Sequence, residues 1–240
     1  MNQLLVPIRA EIQTHLHVCF SYLDGFIPAR SFPEKGTSHN DSASNIWFEI
    51  DEYMAARATE FAISASKHKA GCYIIPGVVK NVGEARSRVV VQMQALLIDI
   101  DTGDTEAKLL QLEEHLGEAT LIVESGGITK QNKPKLHIYW QLTSAVTGEE
   151  LQLLLKLRYN IALAVGGDTH FKSAHQPIRL AGSIYYKNNA TKLVKIRKYE
   201  PVEYELKELA SKVDALTKST TQRCNENNHI STKPIAAQQI

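Results

Sequence analysis

The sequence predicts a mixed α/β (α+β) domain, and three observations predict it. Strand-like and helix-like patterns alternate along the chain, with a β-rich centre. The composition, 43% hydrophobic against 22% charged over 240 residues, is that of a chain able to bury a core. No self-similarity appears at the periods of solenoids or propellers.

The elements follow in order. Residues 18–32 (VCFSYLDGFIPARSF) predict two short strands around the hairpin signal Asp24-Gly25, and residues 33–45 a polar loop. Residues 46–69 carry Ala, Glu and Met with apolar positions near helical spacing and predict a helix. CYIIPGVV (72–79) predicts a strand interrupted at Pro76-Gly77, and RVVVQMQALLIDID (88–101) a long apolar strand ending in acids. DTEAKLLQLEEHLG (104–117) predicts an amphipathic helix with Asp104 as N-cap and Gly117 as its stop. ATLIVESGG (119–127) and LHIYWQL (136–142) predict strands, and residues 148–167 a helix closed by a double glycine. TKLVKIRKY (191–199) predicts a strand and YELKELASKVDAL (204–216) a helix. Residues 218–240 are polar and without periodicity. They predict a disordered tail or linker after a domain spanning residues 1–217.

Composition also excludes function classes. Lys+Arg 27 against Asp+Glu 26 leaves +1, so a nucleic-acid surface must be a local patch and not a global field. Cys19, Cys72 and Cys224 form no CxxC pair, which argues against a disulfide framework or a zinc knuckle. No apolar run approaches the roughly 20 residues of a membrane helix. The N-terminus, broken by Arg9, Glu11 and His15, lacks the layout of a signal peptide. The expected setting is cytoplasmic, with no membrane partner.

Three segments carry chemistry. In ALLIDIDTGD, strand alternation turns Asp99 and Asp101 to one face and Ile100 to the other, with Cα atoms roughly 6.5–7 Å apart. Two like charges so close are costly without a counter-charge, and oxygen-only ligands suit Mg²⁺ or Mn²⁺. Otherwise the pair is simply a strand end emerging into solvent. Ser125-Gly126-Gly127 offers a backbone that a ligand can approach, and in the strand that follows, Lys135, His137 and Tyr139 share a face. A Lys beside a His suits phosphate oxygens. Third, Asp168 follows Gly166-Gly167, and the turn Arg179-Leu180-Ala181-Gly182-Ser183 delivers an arginine ahead of Lys187.

In this order the segments resemble the motifs of the archaeo-eukaryotic primase (primase-polymerase) superfamily, nearest the plasmid and prophage members similar to RepB-type primases. LLIDID matches the apolar strand ending in DxD. SGG with KLHIYW matches the second motif, with His137 in the histidine position, and Asp168 takes the third acidic position. RLAGS with Lys187 matches the Arg-Leu-Pro-Gly turn, with Ala181 in place of Pro. Lys135 stands where the motif usually has Ser, and Ser125 is the residue expected to supply that contact. The resemblance covers roughly residues 70–200.

The resemblance implies an RRM-like mixed sheet flanked by helices, with an N-terminal αβ unit completing the catalytic cleft. It implies a DNA primase/DNA polymerase performing template-directed nucleotidyl transfer in the replication of a plasmid, phage or mobile element. Asp99, Asp101 and Asp168 would hold two Mg²⁺ or Mn²⁺ ions. His137, Arg179, Lys135, Lys187 and Ser125 would contact the nucleoside triphosphate. Single-stranded DNA would be the template, with Lys80, Arg86 and Arg88 as phosphate contacts and a replicative helicase as a further partner. Two alternatives compete. One is a replication-initiator or relaxase-type nuclease, using His15-Leu16-His17 as a His-hydrophobe-His metal pair and Tyr185 or Tyr186 as nucleophile. The other is a non-catalytic nucleic-acid-binding partner of a helicase.

Overall fold

The computed structural model describes residues 5–33, 43–187 and 190–230, with side chains as far as residue 219. The elements are α1 (Arg9–Phe20), β1 (Phe26–Pro33), β2 (Ser44–Glu49), α2 (Met54–Lys67), β3 (Ala70–Ile74), β4 (Val78–Val79), β5 (Val90–Ile100) and α3 (Thr105–Leu116). They continue as β6 (Leu121–Ile128), β7 (Pro134–Val146), α4 (Gly148–Val165), β8 (Ile178–Arg179), β9 (Ile184–Tyr185), β10 (Lys192–Leu193), β11 (Lys195–Tyr199), β12 (Glu203–Tyr204) and α5 (Leu206–Ile230).

A ten-stranded sheet runs in the order β11-β6-β7-β5-β4-β1-β3-β8, with β2 on β1 and β12 parallel to β7. From β5 onward the chain follows β-α-β-β-α-β order, through α3, β6, β7, α4 and β11. The last of these strands pairs β6, and the other edge of β5 is taken by β4. Through that junction the sheet of the N-terminal half is continuous with the central sheet. After α4 the chain crosses back to lay β8 against β3, so Arg179 belongs to the N-terminal half-sheet.

The strands are buried on both faces. Leu96, Ile98 and Ile100 of β5 and Leu136, Ile138 and Trp140 of β7 pack with α3, α4 and α5 in one core. Ala95, Leu97, Leu121, Val123 and Tyr139 pack on the other face with Ile12, Leu16 and Phe20 of α1. Helix boundaries follow local chemistry. Asp104 caps α3 by accepting from the N–H groups of Glu106 and Ala107 at 3.1 and 3.2 Å, and Gly166 closes α4 in the left-handed region at φ 65°.

Four expectations are corrected. Residues 18–20 end α1 and do not open a strand; Ile12, Leu16, Cys19 and Phe20 recur at helical spacing and bury one face of it. The Asp24-Gly25 hairpin is a helix-to-strand connection. Its geometry is set by Gln94 of β5, whose side-chain amide donates to the carbonyls of His17 and Val18 and accepts from Tyr22 N–H. The segment from residue 46 opens as β2, and its helix begins only at Met54. Residues 218–230 continue α5 as helical backbone and do not form a structureless tail, whereas 231–240 lie outside the described residues. Among the described residues no helix is long and apolar enough to cross a membrane.

Candidate active site

Strand β5 pairs with β7 so that Asp99 lies directly opposite His137. At this end of the sheet the strands open onto a cleft of about 380 Å³. Asp99, Asp101, Lys135 and His137 line its floor, and Ser125 with the two following glycines lines one wall. Arg179, Lys187, Lys192, Tyr73 and Tyr185 complete the lining. Every residue predicted for the site therefore faces this cleft except Asp168. Tyr73 and Lys192 are additions, and Tyr185, expected only as a nucleophile, lines the same cleft.

Electrostatics set the acidic pair apart. Burial pushes the Asp99 carboxyl up to about 8, and the neighbouring charges of Asp101 and Asp168 push the same way, against weaker opposition from Lys135 and Arg179. Lys135 Nζ stands 3.5 Å from Asp101 Oδ2, a long contact between half-exposed groups. The pair is thus under-neutralised by the protein's own cations, which is the situation a divalent cation relieves.

His137 is buried, not half-exposed. Its Nε2 is 3.8 Å from Asp99 Oδ1, too long for a hydrogen bond, and its Nδ1 has no hydrogen-bond partner. Burial lowers its pKa to about 3, so the imidazole is neutral beside a largely protonated Asp99 and the contact is not an ion pair. Tyr139, two residues along the same face, is buried as well. His15 of α1 accepts from Ala181 N–H through Nδ1 at 3.0 Å, so its Nε2 carries the proton and donates to Tyr139 Oη at 2.9 Å. This chain ties the turn after Arg179 to the strand that bears His137.

The same contacts dispose of the His-hydrophobe-His metal pair. Residues two apart on a helix point about 200° apart, and His15 is buried with both ring nitrogens engaged while His17 is exposed. Tyr185 is also not free to act as the nucleophile of such a site, because it is one wall of an arginine sandwich. The Arg179 guanidinium sits 4.7 Å from the Tyr73 ring centroid and 4.6 Å from that of Tyr185, and Phe32 stacks on Tyr73 at 4.4 Å. Gly126, at φ 88°, makes room for Tyr185: a Cβ there would lie 2.6 Å from the tyrosine side chain.

Asp168 is beside the pair without entering the cleft. Its N–H donates to the carbonyl of Asp99 at 3.0 Å. Its carboxylate accepts from the N–H of His170 at 2.8 Å and meets His170 Nδ1 at 2.7 Å, capping a short 3-10 turn. Ser125 is buried, its Oγ 3.4 Å from the carbonyl of Lys135. Among the described residues no group of three or more His, Cys, Asp or Glu is arranged to hold a metal ion by itself. The donor set still fits Mg²⁺ or Mn²⁺. Two carboxylates with oxygen donors only, one of them driven toward neutrality by burial and then by its acidic neighbours, are what such ions use when substrate phosphates complete the shell.

Comparison with known proteins places this geometry in a fold. No protein-family model and no curated protein matches the chain. Solved structures do. The AEP domain of the cyanophage S-2L primase-polymerase superposes with a TM-score of 0.66 at 16% identity, covering 87% of this chain and 99% of that one. Primase RepB′ superposes at 0.57 and 12% identity, over 93% and 68% of the two chains. The catalytic domain of RepB′ in complex with initiator DNA gives 0.54 at 15% identity, over 92% and 97%. The chain has the fold of archaeo-eukaryotic primase-polymerase domains, as the motif resemblance led us to expect.

Proposed function

We propose that this protein is a nucleotidyltransferase of the primase-polymerase type, adding nucleotides from nucleoside triphosphates, with release of pyrophosphate, to a strand copied from single-stranded DNA. The observation that carries the reading is the convergence, in one cleft, of an under-neutralised acidic pair with a fixed arginine from the N-terminal half-sheet and with Lys135, Lys187 and Lys192. The fold shared with two primases supports it, and RepB′ was crystallised with initiator DNA.

The roles follow from the chemistry of each side chain. Asp99 and Asp101, with Asp168 alongside, would hold Mg²⁺ or Mn²⁺. When bound, the ions lower the barrier to attack of a 3′-hydroxyl on the α-phosphorus and to departure of pyrophosphate. Arg179, pinned between two tyrosine rings, presents a planar fork to phosphate oxygens with little freedom to lose on binding. Lys135 and Lys187, which line the same cleft, would add positive charge for the triphosphate. His137, a neutral imidazole in the floor of the cleft, would offer an N–H to the phosphates. Gly126 and Gly127 let the substrate pass close to the backbone of β6.

The test is incubation with a single-stranded template, labelled nucleotides and Mg²⁺ or Mn²⁺, with and without a primer. Template-dependent products that vanish on chelation are expected. A pure, folded preparation that binds template and nucleotide yet adds nothing would contradict the proposal.

A further inference from the structure

Asp168 is carried by a turn, and that turn is gripped by a residue outside the cleft. Helix α4 closes at Gly166, two residues before Asp168. The last carbonyls of a helix carry its partial negative charge. Here that end lies beside Asp99 and its acidic neighbours, and the last turn of α4 holds no basic residue to offset the gathering of like charge. The cation comes from α3 instead. Lys108 Nζ donates to the Gly166 carbonyl at 2.7 Å, and Thr102 Oγ1 donates to the same oxygen at 3.3 Å.

The lysine is half-buried between two turns. Gly103 and Gly166 are both in the left-handed region, at φ 73° and 65°. A Cβ on Gly103 would lie 3.3 Å from Lys108 Cε, and one on Gly166 would lie 3.4 Å from its Nζ. Burial lowers the pKa of Lys108 and the charge of Asp101 opposes this, which puts the ammonium in the field of the acidic pair. Beyond Gly166 the backbone lies close on β5. A Cβ on Gly167 would lie 3.0 Å from the carbonyl oxygen of Asp99, and the N–H of Asp168 donates to that same oxygen at 3.0 Å. The main chain of Asp168 is thus set against Asp99 from one side by β5 and from the other by the grip on Gly166.

We infer that Lys108 is a positioning residue for the metal site: by gripping the end of α4 it keeps the Asp168 turn on β5, beside the carboxylates of Asp99 and Asp101. The inference rests on the proposed function, in which those three side chains hold Mg²⁺ or Mn²⁺. Lys108 does not line the cleft, and it acts through Asp168. The sign of its effect separates this role from that of a nearby charge. A cation beside carboxylates repels a second cation, so removing the charge alone would tighten metal binding. Removing a support of the metal ligands weakens it, by about 10- to 100-fold.

The test uses the full chain and Mn²⁺ alone, with binding read from the paramagnetic resonance signal of the free ion. Lys108→Met should weaken Mn²⁺ binding about tenfold, whereas Lys108→Arg, which can still donate to the Gly166 carbonyl, should stay within about threefold of wild type. In an Asp168→Asn background, Lys108→Met should change the affinity less than about twofold. In metal-free protein, amide exchange of residues 166–172 should quicken in Lys108→Met and not in Lys108→Arg. Unchanged or tighter Mn²⁺ binding by Lys108→Met, an equal loss in Lys108→Arg or in the Asp168→Asn background, or unaltered exchange would overturn the inference. A chain that binds Mn²⁺ in the expected pattern yet adds no nucleotide would instead overturn the proposed function and leave the role of Lys108 standing.

Discussion

At Asp99 the fold works against the charge it places there. The folded protein holds this proton up to about pH 8, whereas an exposed aspartate gives it up near 3.8. Between those values the folded state binds the proton and the unfolded chain does not. The contribution to stability is therefore full at the acid end and lost as pH rises toward 8. The buried His15 and His137, both lowered to about 3, act in the other sense, their contribution being lost as pH falls from 6.5. The informative quantity is the difference in melting temperature between wild type and Asp99→Asn in chelator. The variant should gain on wild type steadily from about pH 4 to pH 8, and Mn²⁺ should narrow that gap; parallel curves would count against a buried, crowded Asp99. Arg179→Lys should raise the apparent KM for nucleotide about tenfold or more, because an ammonium neither forks nor stacks between Tyr73 and Tyr185, and an unchanged KM would show that the sandwich is only structural. The acidic pair was legible in the sequence because strand alternation alone puts residues 99 and 101 on one side. Tyr73 was not, because what makes it part of the site is the pairing of β3 with β8, and nothing local in CYIIPG announces that partner.

Among the elements, α1 shows how periodicity can outweigh a turn signal. Asp24-Gly25 reads as a hairpin, yet Ile12, Leu16, Cys19 and Phe20 already have helical spacing, and burial of that stripe decides the outcome. Once α1 is a helix, a metal pair at His15 and His17 has no geometry, and His15 becomes the brace between the Arg179 turn and β7. The strand at 136–142 was legible from its alternation, the helix at 104–117 because cap, apolar pattern and closing glycine agree, and the helix at 148–167 from its apolar pattern and double glycine. The C-terminal helix was legible only as far as its apolar residues ran. Leu209, Val213 and Leu216 of α5 reach the core, and all precede residue 218. Truncation after Ser219 should leave melting temperature and nucleotide addition close to those of the full chain, whereas Leu216→Ala should cost about 2–4 kcal/mol of stability by denaturant titration. A truncated protein that melts far earlier would mean that the polar end of the helix contributes packing.

For the molecule as a whole, the cleft exists because one sheet carries two halves. The central strands supply the carboxylates and His137, the N-terminal half supplies Tyr73, and β8 returns from the far side of α4 to bring Arg179 to the latter. The motif order along the chain foreshadowed this assembly; the closure of β11 on β6 and the joining of β4 to β5 had no sequence signal, since both depend on which strand edges remain free after folding. The central claim is that the acidic pair performs metal-dependent nucleotidyl transfer, and primer extension by Asp101→Asn tests it most directly. Asn keeps the shape and removes the charge, so the protein should fold as wild type does, still bind single-stranded DNA, gain less thermal stability from Mn²⁺, and extend a primer roughly a thousandfold more slowly or not at all. Extension at near wild-type rate by well-folded Asp101→Asn would mean that the pair is only the end of a strand and that the cleft does other work.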